Sequence, residues 1–239
     1  MNTLSNILLE KTPKYEITIP STKKKTTFRP FLVKEEKILL IAQETGSYKE
    51  ILQAIEDVIE SCVDGIENAS SLPVFDVEYL FLRLRAKSVS EVATPTIQCP
   101  VTNENIELQI NLTDIEPSSD KNHKKNIKID DDIMVIMKYP TLKMMKNNEN
   151  DTSYDNPESF YGLIVDCIDT IKTKEESIDV SSLPKSEVED FIGNMNKFQF
   201  EKILDFFITS PQLKHAVKYT ASDGVEREVV LQGLSDFLE

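Results

Sequence analysis

Two histidines, three cysteines and a run of three aspartates are the residues of this chain best suited to do chemistry. Histidine is the commonest general acid or base near neutral pH, and in a triad it must meet a nucleophile and an orienting carboxylate. His123 lies in a polar segment expected to be exposed and His215 in an expected strand, and neither has an adjacent Ser, Cys or Asp constellation. Cys62 and Cys167 each complete an apolar helical stripe and read as core packing. The sequence Cys99-Pro100-Val101-Thr102 resembles half of a zinc knuckle, but a knuckle binds metal through paired cysteines, so a single one cannot close the site. Asp130-Asp131-Asp132 lacks the alternating spacing of a calcium loop and reads as a charged turn. The six glycines form no phosphate-cradling loop or dinucleotide fingerprint. The expectation is a chain with no catalytic residues, metal, cofactor or small-molecule substrate.

What remains is charge. The formal net charge is −14, which favours solubility and disfavours nucleic acid, because phosphates are held by Lys and Arg. It also fits an acidic inhibitor or mimic of a basic host protein, whose binding salt would weaken. Two basic clusters stand out against this background: Lys23, Lys24 and Lys25, and Arg83, Arg85 and Lys87. Both are candidate partner contacts. Each also has a plainer explanation, a solvated loop for the first and helix-end electrostatics for the second. The odd cysteine count argues against a disulfide framework and for a reducing compartment. No signal-peptide pattern follows the short amphipathic run from Asn2 to Glu10, and no apolar run reaches membrane-spanning length. Self-association stays open.

The elements that must position these groups are organised around Leu72–Lys87. Val77, Tyr79, Leu80, Phe81, Leu82 and Leu84 leave no wide polar stripe, so this helix must be covered on more than one side. Asp76 can accept from the free amides at its start, and Glu78 adds negative charge at the same end. Before it, Ile17 and Ile19 alternate as a short strand ended by Pro20. Lys34–Glu44 reads as a helix closed by Gly46, and Ser47 with Glu50 forms a capping box for Ile51–Cys62. After it, Thr94–Leu112 alternates as a hairpin, and Ile127–Tyr139 is again β-like. Leu142–Lys146 forms one helical turn and Asn147–Tyr154 a polar loop. Asn156-Pro157 starts a helix whose apolar face runs from Phe160 through Cys167 and Ile168 to Ile171. Ile178–Val180 reads as a short strand, Ser186 and Glu189 cap another helix, and Phe198–Thr209 forms a further one. His215–Leu231 closes the chain as a hairpin turning at Ser222-Asp223-Gly224, with Leu234, Phe237 and Leu238 as a short terminal anchor. The fold class is α+β: a helical N-terminal block, two β-hairpins and a second helical group. The expected organisation is an arm over 1–30, a helical block with the first hairpin over 31–115, and a second α+β region over 127–239. The polar stretch Glu116–Asn126 is the candidate boundary.

Two segments carry a resemblance. Phe28-Arg29-Pro30-Phe31-Leu32-Val33-Lys34-Glu35-Glu36-Lys37-Ile38-Leu39-Leu40-Ile41-Ala42 and Leu72–Ser88, with its Asp76-Val77-Glu78-Tyr79-Leu80-Phe81-Leu82-Arg83-Leu84-Arg85-Ala86-Lys87-Ser88 core, resemble the baseplate hub assembly proteins of T4-like tailed bacteriophages. The resemblance implies a non-enzymatic protein made in the infected cell's cytoplasm that recognises other hub proteins, as a transient assembly factor or as a permanent part of the virion baseplate. It implies no stable membrane insertion. Family members can carry cysteine pairs at their hairpins, which this chain lacks.

Overall fold

The computed structural model describes residues 8–147 and 157–238. The chain divides into two compact units, Met1–Ser118 with Gln212–Glu239, and Ser119–Pro211. The C-terminal hairpin, expected with region 127–239, therefore belongs with the N-terminal half. A short strand explains why: β7 (Pro117–Ser118) pairs antiparallel with the start of β12 (Gln212–Thr220), Leu213 opposite Pro117 and Gln212 opposite Ser118.

In the first unit, β1 (Tyr15–Thr18) and β2 (Lys25–Phe28) form an antiparallel pair. Helices α1 (Val33–Thr45) and α2 (Tyr48–Cys62) follow, then α3 (Val74–Ser88). Gly46 ends α1 at φ 64°, a left-handed conformation that glycine adopts without a Cβ penalty. Ser47 Oγ caps α2 by accepting the Glu50 amide at 3.4 Å. The central helix is enclosed as its composition requires, with Leu80, Leu82 and Leu84 fully buried beside Val58 and Ile59 of α2. The first hairpin is two short antiparallel pairs. β3 (Val92–Ala93) pairs with β6 (Ile110–Asn111), and β4 (Thr96–Gln98) pairs with β5 (Asn105–Glu107). β12 then pairs in register with β13 (Glu226–Gln232), Val217 opposite Val229, and turns at Gly224, φ 75°.

The second unit has its own sheet. β8 (Asn126–Lys128) and β9 (Met134–Met137) flank the aspartate turn, where Asp130 Oδ1 accepts the amides of Asp132 and Ile133. The short helix α4 (Leu142–Asn147) follows. The polar loop expected from Asn147 to Tyr154 lies, beyond Asn147, outside the described residues, as do the cap expected at Asn156 and the run from Asn2 up to residue 7. Helix α5 (Pro157–Asp166) is shorter than its apolar face suggested. Ile168–Lys172 is a strand, β10, paired with β9 on one side and β11 (Ser177–Asp179) on the other. The stripe through Phe160, Leu163, Ile164 and Cys167 suits a helix, but Ile168, Thr170 and Ile171 are β-branched, and two available edges decide in favour of extended chain. Helix α6 (Lys185–Gly193) starts with Pro184 at its cap, so Ser186 is already inside it. Helix α7 (Lys197–Thr209) is capped at its start by a reciprocal pair, Asn196 and Gln199, each side chain accepting the other's amide at 3.0 Å.

His123 is not a linker residue. Half-buried, it joins an aromatic cluster with Tyr139 and Phe206, its ring 5.6 Å and 5.2 Å from theirs. Thr209 Oγ1 gives its hydrogen to Asp205 O at 2.6 Å, so it accepts from His123 Nδ1 at 2.9 Å, and Nε2 is left to accept from the Tyr139 hydroxyl at 3.1 Å. Burial first and then Lys125 hold this imidazole below its ordinary pKa, against a smaller pull from Asp120. Because the folded value is lowered, the unfolded chain binds the proton first. Stability of the second unit is therefore expected to fall as pH drops from about 6.5, the ordinary histidine value. Urea unfolding followed by circular dichroism at pH 7.5 and 5.5 should show the wild type losing stability relative to His123→Gln at the lower pH, the other titrating groups being common to both proteins.

Candidate interaction site

The β1–β2 turn carries Lys23, Lys24 and Lys25, and the central helix fixes where they stand. Asp76, at the third position of α3 and fully buried, does not cap its own helix: the cap residue is Pro73, which has no side-chain acceptor. Its carboxylate instead accepts the Ser21 amide at 2.9 Å and, through the other oxygen, the Ser21 hydroxyl. Burial pushes the Asp76 carboxyl above its ordinary pKa, and the two Ser21 bonds and Lys23 pull in the opposite direction. A residue of this kind is held in place by what it holds. Lys23 itself has φ 57°, an uncommon conformation outside glycine, which the anchored turn enforces. The three lysines are exposed, and among the described residues none of them forms an ion pair.

The second basic cluster is bound into the same corner. Arg83 donates to Leu112 O at 3.1 Å and Ile115 O at 3.0 Å and meets Glu116 Oε1 at 2.6 Å, while its guanidinium lies 4.8 Å from the Tyr79 ring centroid. Tyr79 donates to the same Glu116 oxygen at 3.2 Å. Lys87 pairs with Glu91 and sits 5.1 Å over the Tyr15 ring of β1. Arg85 is half-buried, and its Nη1 is enclosed with no hydrogen-bond partner among the described residues. Burial lowers its pKa. Arg83 and Lys87 thus brace the walls, while Lys23 and Lys25 line a cavity of about 440 Å³ together with Glu16, Thr18, Tyr79 and Glu116.

Asp76→Ala leaves the Ser21 amide without its acceptor and frees the turn. The expected cost is about 1–3 kcal/mol in chemical denaturation, with faster amide exchange confined to residues 19–25. Exchange spread evenly over the first unit would contradict the anchoring role.

Two features were not visible from sequence. Arg29 and Glu35 form a buried ion pair at 2.8 Å, the side chains 11% and 2% exposed. Glu78, expected only to flavour the helix dipole, reaches the C-terminal turn and accepts the Leu234 amide, and burial lifts its pKa to about 7. The thiols separate by environment. Burial pushes Cys62 up to about 11 and Cys167 up to about 12. Cys99, enclosed at the β4–β5 turn, is held down to about 7, chiefly by the polar groups of Thr102 beside it. Asn103 N–H returns to Cys99 O at 2.9 Å with φ 57°, so the knuckle-like turn forms around one sulfur. Among the described residues no three His, Cys, Asp or Glu side chains converge as a metal site would need. Nor is any helix there long and apolar enough to cross a membrane.

A braced helical unit presenting a basic corner is the frame in which the comparisons with known proteins fall. Residues 12–239 match the family described as T4 bacteriophage base plate protein, and the chain belongs to that family. The chain is similar to the baseplate hub assembly protein gp26 of Enterobacteria phage T4, with 27% identity over 214 residues covering 88% of this chain and 91% of that relative. No solved structure gives a significant match.

Proposed function

We propose that this chain acts without catalysis, as a recognition protein in assembly of the central hub of a phage tail baseplate, and that it does so in the host cytoplasm. The observation that carries the reading is the reach of the family match, which takes in both compact units. The name of the T4 relative, a hub assembly protein, supports it. The geometry suits binding: Asp76 fixes a turn that offers Lys23, Lys24 and Lys25 from a chain of net charge −14, and Arg83 holds Glu116 across the cavity from it. In this reading those three lysines touch the partner, and Arg83, Arg85 and Lys87 belong to the frame behind them.

The test uses tagged protein in phage-infected cells, comparing hub intermediates with finished particles by mass spectrometry. Presence in intermediates and absence from particles identifies an assembly factor; presence in both identifies a permanent hub component. Absence from both, with a basic host protein recovered instead and released by moderate salt, would replace the reading with that of an acidic mimic.

A further inference from the structure

The outer edge of β1 is open, and the hydrogen-bond pattern shows which groups it offers. Ile19 N–H bonds Lys24 O at 2.9 Å, so the bonded pairs of the β1–β2 ladder are Ile19 with Lys24, Ile17 with Thr26 and Tyr15 with Phe28. Glu16 and Thr18 therefore turn their amides and carbonyls away from β2. The far side of β2 obeys the same alternation and is already used: Asp64 N–H bonds Thr27 O at 2.8 Å, and Arg29 N–H bonds Cys62 O at 3.0 Å. No such neighbour lies along β1 among the described residues. The cavity of about 440 Å³ stands there instead, with Glu16, Ile17 and Thr18 on one side and Tyr79, Glu116 and Pro117 on the other.

Charge decides what fits. Glu116 is neutralised by Arg83 at 2.6 Å, whereas among the described residues Lys23 and Lys25 form no ion pair, Lys23 feeling only the buried Asp76 carboxyl. Glu16 is the remaining anion of the lining, so the rim is positive on a protein whose total charge is strongly negative. A second copy of this chain would meet repulsion at long range.

Resting on the proposed role in hub assembly, we infer that β1 receives an extended, acidic segment of another hub protein by strand addition, main chain to Glu16 and Thr18 and carboxylates to Lys23 and Lys25. Two residues offer about four main-chain hydrogen bonds, which set register; the lysines select the partner.

The experiment takes full-length protein and the hub protein that it retains from infected-cell extract, purified separately, and measures affinity and amide exchange. Thr18→Pro removes an outward N–H and none of the β1–β2 bonds, and proline is tolerated on an edge strand. The double variant Lys23→Glu/Lys25→Glu leaves the strand intact. Each is expected to weaken binding by about tenfold or more, with the double variant losing the salt dependence of the wild type. The amides of Glu16 and Thr18 should become protected only in the complex. A partner that binds the wild type and both folded variants within twofold, or leaves those amides unprotected, would overturn strand addition while the hub role stands. Protection in concentrated protein alone would assign the edge to self-association and overturn it too. A wild type that retains no hub protein would overturn the role itself.

Discussion

Glu35→Ala is expected to destabilise the first unit by about 3–5 kcal/mol, the range for removing one member of a buried ion pair. The Glu35 carboxylate does two things at once: Oε1 meets Arg29 Nη2 at 2.8 Å, and Oε2 accepts the Leu32 amide at 2.9 Å at the start of α1. Leu32 has no side-chain acceptor of its own, so this carboxylate is the side-chain partner at the helix start. Arg29 is held further by Ser61 O at 3.0 Å and Pro30 O at 3.1 Å, which fix the guanidinium even when its counter-ion is gone. The variant leaves a largely enclosed cation uncompensated. Lys34, 3.3 Å from Glu35 but well exposed, adds little.

A double-mutant cycle separates the pair from its burial. Arg29→Met with Glu35→Leu should cost less than Glu35→Ala alone, since neither variant side chain is left charged in a closed site. Acid titration gives a second check. Burial raises the Glu35 carboxyl, but the Arg29, Leu32 and Lys34 contacts outweigh it, and the net pKa is lowered. A lowered folded value means that the stabilisation is present above the unfolded carboxylate pKa and lost as pH falls through the folded one. The gap between wild type and Glu35→Ala should therefore narrow in acid. A gap that is flat from pH 7 to pH 3 would show that the loss comes from packing rather than charge.

This pair also shows where sequence reading stops. The Phe28-Arg29-Pro30-Phe31 entry and the Lys34-Glu35-Glu36-Lys37 run are legible as a helix approach, yet Arg29 lies before the helix and Glu35 inside it, so no helical spacing rule joins them. Local signals were legible because their partners are a few residues away: Gly46 leaving α1, Ser47 capping α2, Asp130 closing its turn. The same logic makes Asp76 a cap, but its partner Ser21 stands 55 residues earlier in the chain and wins the carboxylate. The β10 strand was hidden for a related reason. Its first apolar residues continue a helical face, and what makes it a strand is the pair of edges supplied by Met134–Met137 and Ser177–Asp179. Lys23, Lys24 and Lys25 were visible as charge, whereas their position beside an open strand edge depends on the register of β1 with β2.

Glu78→Gln is expected to stabilise the first unit above neutral pH, by on the order of 3 kcal/mol, and to leave it nearly unchanged near pH 4.5. Burial is the main cause of the rise of the Glu78 carboxyl to about 7, against the pull of the Leu234 amide. Gly233 lies beside the carboxyl, a Cβ placed there standing in ordinary contact 3.5 Å from Oε1, and its φ of 72° is one that favours glycine in the turn. Phe237, fully buried, closes the turn beyond. Between pH 4.5 and 7 the folded chain keeps a proton that the unfolded chain has lost, so stability falls as pH rises through that window and levels off above it. Glutamine keeps the oxygen that accepts from Leu234 and removes the ionisation. Urea unfolding at pH 4.5, 6 and 8 should show the difference between variant and wild type growing with pH. Asp76, whose pKa is also raised, and His123, whose slope runs the other way, are present in both proteins and cancel in that difference. An equal difference at every pH would mean that Glu78 is ionised freely in the fold and that the C-terminal turn is held by Phe237 alone.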